Sequence, residues 1–145
     1  MEESRQFINQ RLNSWKDKKA TRGNAEYAAL AVAYCEELRR GNAKATAALG
    51  EQLDISPAMM AQRIKEARRR LLLTAGEQGR ASGEMTRLGM LYTDPKFPGL
   101  RQLRLDGKSV ESIAKEYRLS AGTISAALIA EGAGDLAGLD EGSED

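Results

Sequence analysis

The chemistry most concentrated in the sequence is cationic. From 60 to 71, Met60, Ile64, Ala67 and Leu71 recur at helical spacing as an inner face, and Ala61, Gln62, Arg63, Lys65, Arg68, Arg69 and Arg70 fall on the outer face. Such a surface suits a polyanion, because guanidinium and ammonium groups neutralise phosphates while the apolar stripe anchors the helix. Further along, Lys108, Lys115, Arg118 and Thr123 offer a second, sparser set of phosphate-binding side chains.

Most other chemistry is missing. The chain has no histidine, which removes imidazole acid–base catalysis, Ser-His-Asp and Cys-His arrangements, and zinc sites that need imidazole. Its one cysteine, Cys35, has no partner for an internal disulfide or a Cys-x-x-Cys pair and reads as a small core residue. No Walker-type glycine motif occurs, and Glu36-Glu37 reads as solvated helix surface. The chain is expected to be no enzyme, metal-free and without a cofactor. No effector pocket is legible.

The 145 residues suit one ordinary domain or two very small ones. The longest apolar stretches, Tyr27–Cys35 and Ala126–Ala130, fall far short of the ~20 residues a membrane span needs. The N-terminus starts acidic with no apolar stretch behind it, unlike a secretory signal. Net charge is +1, yet residues 131–145 hold six of the 21 acidic residues and none of the 22 basic ones, so 1–130 carries +7. A basic body with an acidic tail points to an anionic partner, usually nucleic acid.

Several elements must position these charges. In 1–22, Phe7, Ile8, Leu12 and Trp15 recur every three or four residues, giving an amphipathic helix with a basic end. It either packs on the body or serves as an arm on phosphates. A helix over 25–40 carries a stripe of Tyr27, Leu30, Ala31, Tyr34 and Leu38, stopped by Gly41. A short helix over 43–53 follows, with Asn42 as cap. Ser56-Pro57 then starts the basic helix, the hydroxyl accepting an orphan N–H and proline supplying a helical φ. The segment 93–99, Thr-Asp-Pro-Lys-Phe-Pro-Gly, reads as a linker. A helix over 98–106 directs Leu100, Leu103 and Leu105 inward. Helices capped by Ser109 and Ser120 follow it. The glycine-rich tail 131–145 is expected to be disordered.

A short helix, a tight turn and a second helix form the helix-turn-helix plan. The string Leu49-Gly50-Glu51-Gln52-Leu53-Asp54-Ile55-Ser56-Pro57-Ala58-Met59-Met60 resembles the DNA-binding form of it. Gly50 fills the small position at the helix crossing, and Asp54 stands where glycine is usual, in a turn that often needs φ > 0. The resemblance implies that the start of the second helix enters the major groove. The base-facing positions are then Ala58, Ala61, Gln62 and Lys65, beside Ser56, Arg63 and Arg69. Gln62 suits adenine, and Lys65 suits guanine or a phosphate. The helix Arg63–Leu71 is also similar to the promoter-reading helix of sigma factors.

The run Leu71–Thr74, the polar segment 75–84 with three glycines, and Met85–Gly89 resemble the β-hairpin wing of small bacterial and phage winged-helix regulators. That likeness places Arg80 against a minor groove or phosphate. Further along, Ile113, Ala114, Tyr117, Leu119, Ser120, Thr123 and Ile124 are similar to the helix-turn-helix of recombinase-type DNA-binding domains. Its DNA face would comprise Lys108, Ser109, Lys115, Ser120, Ala121, Gly122, Thr123 and Ser125. The exposed positions of its second helix are small and uncharged, which limits base readout and leaves a protein-binding role open. The two strings align Leu49 with Ile113 and Ser56 with Ser120, each 64 residues apart.

The expected fold is therefore all-α, with two tandem helix-turn-helix units and a small β-hairpin wing on the first. The expected segments are a basic amphipathic helix (1–22), a first unit (23–92), a linker (93–99), a second unit (100–130) and an acidic tail (131–145). The expected function is sequence-specific binding of double-stranded DNA by a cytoplasmic, nucleoid-associated regulator, a repressor of bacterial or phage type. It would act as a monomer with two DNA-reading units or as a homodimer. The alternative is a sigma-like adaptor or antagonist that binds RNA polymerase or another regulator. No membrane partner is expected.

Overall fold

The computed structural model describes residues 2–17, 22–76 and 82–134, and the chain divides into two units, Met1–Pro95 and Lys96–Asp145. The first begins with α1 (Glu2–Asn13) and a 3₁₀ turn (Ser14–Lys16). Ile8, Leu12 and Trp15 are buried, and α1 lies along α2 (Asn24–Arg39). The amphipathic segment thus packs on the body. Glu26 fastens the junction: its backbone oxygen accepts from Trp15 Nε1 at 3.1 Å, and its carboxylate accepts from Gly23 N–H at 2.6 Å and meets Arg11 at 3.3 Å.

Helix α2 corrects a sequence expectation. Instead of one buried stripe, every residue from Tyr27 to Cys35 is buried, while Leu38 is only half-buried. The cause is tertiary: α1, α3 (Ala45–Leu53), α4 (Pro57–Arg69) and α5 (Arg87–Leu91) all pack on it. The alanines at 28, 29, 31 and 33 let so many neighbours approach one axis. Gly41, at φ 78°, ends α2, with Gly41 N–H donating to Leu38 O and Asn42 N–H to Glu37 O. Asn42 does not cap α3. Its Oδ1 accepts from Lys44 N–H at 2.9 Å, a local turn that delays the helix to Ala45.

The β-hairpin wing is not present: the described residues contain eight α-helices and no strand. Between α4 and α5 there is only an isolated bridge, Leu73 to Met85, with Thr74 N–H donating to Glu84 O at 2.8 Å. Pairing stops there because Arg68 diverts the next carbonyls, donating to Thr74 O at 2.9 Å and Ser82 O at 2.5 Å. The segment also lacks the alternating apolar pattern a ladder needs. Met85–Gly89 does not return as a strand. Thr86 starts α5, its Oγ1 accepting from Gly89 N–H at 2.9 Å and donating to Leu71 O at 2.6 Å. Leu71 has left the helix for φ 65° and is only half-buried, and Leu72 and Leu73 take the core places instead.

The second unit comprises α6 (Leu100–Leu105), α7 (Val110–Tyr117) and α8 (Ala121–Ala130). Leu100, Leu103, Val110, Ile113, Ile124, Ala127 and Leu128 form its core, and Phe97 meets Tyr117 edge to face at 5.1 Å. Leu105 points outward, 59% exposed. The neighbouring Arg104 is buried instead, donating to Lys108 O at 2.7 Å. This closes the turn at Gly107 (φ 95°) before Ser109 caps α7. No helix among the described residues is long and apolar enough to cross a membrane.

One close approach gives a direct test of this packing. A Cβ on Gly89 would lie 2.1 Å from Leu72 O, and that oxygen is itself held by Thr86 N–H. Gly89→Ala is expected to cost about 1–3 kcal/mol, read as a lower urea midpoint at unchanged slope.

Candidate nucleic-acid interface

The same local structure occurs twice. Helices α3 and α7 each end in a residue at φ 59°, ψ 45°: Asp54 in one, Arg118 in the other. The next residue folds back, Ile55 N–H to Gly50 O at 2.7 Å and Leu119 N–H to Ala114 O at 2.9 Å. Then Ser56 and Ser120 cap α4 and α8, accepting from Met59 N–H at 3.2 Å and Thr123 N–H at 3.0 Å. Leu49 and Met60 in the first copy, and Ile113 and Ile124 in the second, are fully buried. Together these contacts fix how the second helix of each pair leaves the turn.

The small residue at position 50 answers mainly to the turn. A Cβ there would meet Ile55 O at 2.5 Å, whereas Met60 Cβ lies at 3.6 Å. Ala114, at the matching position, carries that Cβ with a slightly longer hydrogen bond.

The side chains of α4 divide sharply. Ser56, Ala58, Ala61, Gln62 and Lys65 are exposed, and Arg63 is half-buried. The outer basic face is smaller than the sequence suggests, because the fold uses two of its arginines internally. Arg68 holds the segment after α4 and lies over the Tyr34 ring at 5.7 Å. Arg70 donates to Asn24 Oδ1 at 2.8 Å and lies over the Tyr27 ring at 4.4 Å. Glu66 accepts from Arg69 at 2.6 and 2.8 Å and from Arg70 at 2.7 Å. Those hydrogen bonds, Arg69's first, pull its carboxyl down to about 2. Arg69 is raised by the same partner.

In the second copy, Lys108, Lys115, Ser120, Ala121 and Gly122 are exposed, while Ser109, Thr123 and Ser125 are half-buried. Ser109 Oγ is committed to Ser112 N–H at 3.0 Å, and Ser120 Oγ also reaches Thr123 Oγ1 at 2.8 Å. Lys108 stands 3.4 Å from Glu116. Arg80 and most of the acidic tail, 135–145, lie outside the described residues. Cys35 is buried, its Sγ 3.9 Å from Gly83 O, and burial pushes its thiol up.

One feature escaped sequence reasoning. A cleft of about 460 Å³ opens where the 3₁₀ turn meets the α3–α4 turn, lined by Trp15, Lys16, Arg22, Asp54 and Arg63 among others. Its residues come from distant parts of the sequence and share no motif. No protein-family model, curated protein or solved structure matches the chain, so its site rests on geometry and chemistry.

Glu66 supplies a pH test. With its carboxyl held at about 2 rather than its ordinary 4.5, the ionised form favours the folded state. That contribution is full above about 4.5 and is lost as pH falls toward about 2. Glu66→Gln is expected to flatten the slope of stability against pH in this window, measured by urea unfolding at stepped pH.

Proposed function

We propose that the chain binds double-stranded DNA sequence-specifically and serves as a transcriptional regulator, a repressor of bacterial or phage type. Repression by occupying a promoter needs no catalytic group. A cytoplasmic, nucleoid-associated location goes with this reading. The observation that carries it is the repeated unit of helix, left-handed turn residue and Ser-capped helix. Its first copy presents small and polar side chains at the start of α4 with cations alongside.

A major groove admits one α-helix. The exposed Ala58, Ala61 and Gln62 suit close approach to base edges, and Lys65 and Arg69 suit the flanking phosphates. Gln62 is the base reader in this scheme, with adenine as its natural partner. The second copy contributes mainly phosphate contacts through Lys108 and Lys115, since Ala121, Gly122 and Ala126 present no charge. Two tethered units raise each other's effective concentration on adjacent sites without dimerisation.

A second reading, a module that binds polymerase or another regulator, draws on the second unit. There Leu105 at the end of α6 and Ile129 at the end of α8 stand 59% and 62% exposed, and the start of α8 carries no charge.

Selection from a random DNA pool, repeated across salt concentrations with the full chain, tests the proposal. A defined motif is expected. Lys65→Ala should weaken binding to all sequences alike and lower the salt slope by about one. Gln62→Ala should cost about 1–3 kcal/mol and relax preference at one position. Failure to enrich any motif at low salt would favour the protein-binding reading.

A further inference from the structure

We propose that the cleft between the 3₁₀ turn and the α3–α4 turn is a binding site for a small aromatic carboxylate. The argument is independent of the DNA reading. Its volume, about 460 Å³, falls within the range of small-molecule sites.

Its chemistry is two-sided. Of its lining residues, Trp15 and Leu53 are almost wholly buried, the half-buried Ile55 and the exposed Met59 offer an accessible apolar surface, and Lys16, Arg22 and Arg63 bring three cations. Among the described residues, one carboxylate, Asp54, lines the same space. The two guanidinium groups lie near the Trp15 ring, Arg22 at 4.7 Å and Arg63 at 5.9 Å from its centroid. Trp15 and Arg22 are themselves fixed. The indole donates to Glu26 O at 3.1 Å and meets Tyr27 edge to face at 5.0 Å. Arg22 donates to the carbonyls of Ser14, Trp15 and Asp17, closest at 2.8 Å to Asp17. After these contacts, Arg22 Nε remains buried without a hydrogen-bond partner.

A preorganised site of this kind favours one class of occupant. A flat apolar body replaces water over Ile55 and Met59. A carboxylate on that body takes the charge-assisted hydrogen bonds that Arg63 and Lys16 offer. An uncharged molecule would leave the cations unmatched, and a bare anion would leave Ile55 and Met59 wet.

Trp15 is the only tryptophan in the chain, so its fluorescence reports on the cleft directly. The probe is 1-naphthoate, titrated into the full chain, with calorimetry in parallel. A saturable change is expected. Arg63→Met keeps most of the bulk and removes the charge, and should weaken binding about tenfold. Asp54→Asn keeps a residue that tolerates φ > 0 and removes the opposing carboxylate, so it should tighten binding about threefold. A gain in affinity cannot arise from misfolding, so the pair of variants keeps the test decisive. The neutral isostere 1-naphthylmethanol and inorganic phosphate should each bind at least tenfold more weakly than 1-naphthoate. The proposal is overturned if 1-naphthoate shows no saturable binding. It is likewise overturned if either comparison compound binds equally well, or if Asp54→Asn leaves affinity unchanged or lowers it.

Discussion

The first unit depends on the complete burial of one helix. From Tyr27 to Cys35, α2 exposes almost nothing, and four neighbouring helices take their positions from it. Its composition makes this possible. Alanines at 28, 29, 31 and 33 keep the axis thin, and Leu30, Val32, Tyr34 and Tyr27 fill the spaces between neighbours. Burial of a large apolar side chain contributes about 1.5–3 kcal/mol, and α2 collects several of these along little more than two turns. A helix used on all sides has no outer face on which to carry function. The first copy of the candidate interface and the cleft therefore lie on elements of the first unit gathered around it.

The arginines of α4 show how the same packing reshapes a charged surface. Arg70 leans back over Tyr27 and reaches Asn24 on α2. Arg68 sits near Tyr34 on the same helix while binding two carbonyls of the following segment. These contacts satisfy backbone oxygens that would otherwise need a ladder partner, and so one guanidinium accounts both for a reduced basic face and for the absence of a wing. The α3–α4 turn that orients the second helix also lends Asp54 to the cleft, and α4 lends Arg63.

Local signals in the sequence were informative at the turns and caps of the two copies, where the physics is local, though Asn42 turns onto Lys44 N–H instead of capping α3. Ser56 and Ser120 are caps because a hydroxyl three residues ahead of an orphan N–H needs nothing else. Asp54 occupies the left-handed region its short polar side chain tolerates, and Gly50 is small because a carbonyl presses on it. The signals failed where a partner decides. Leu71 completes a helical stripe on paper but adopts φ 65°, because Leu72 and Leu73 are the side chains the core accepts. Leu105 yields its inward place to Arg104, whose guanidinium closes the turn at Gly107.

By itself the sequence determined the helical class, the twofold helix–turn–helix grammar and the absence of imidazole chemistry, since each follows from residue type and near-neighbour spacing. Tertiary structure alone decided which arginines remain outside, that Thr74 and Ser82 are tied to α4 through Arg68, and that Trp15, Arg22 and Arg63 line one cleft. Those outcomes depend on contacts between residues up to 48 positions apart, such as Trp15 with Arg63. Periodicity along the chain carries no record of such meetings, which arise only once α2 has gathered its neighbours.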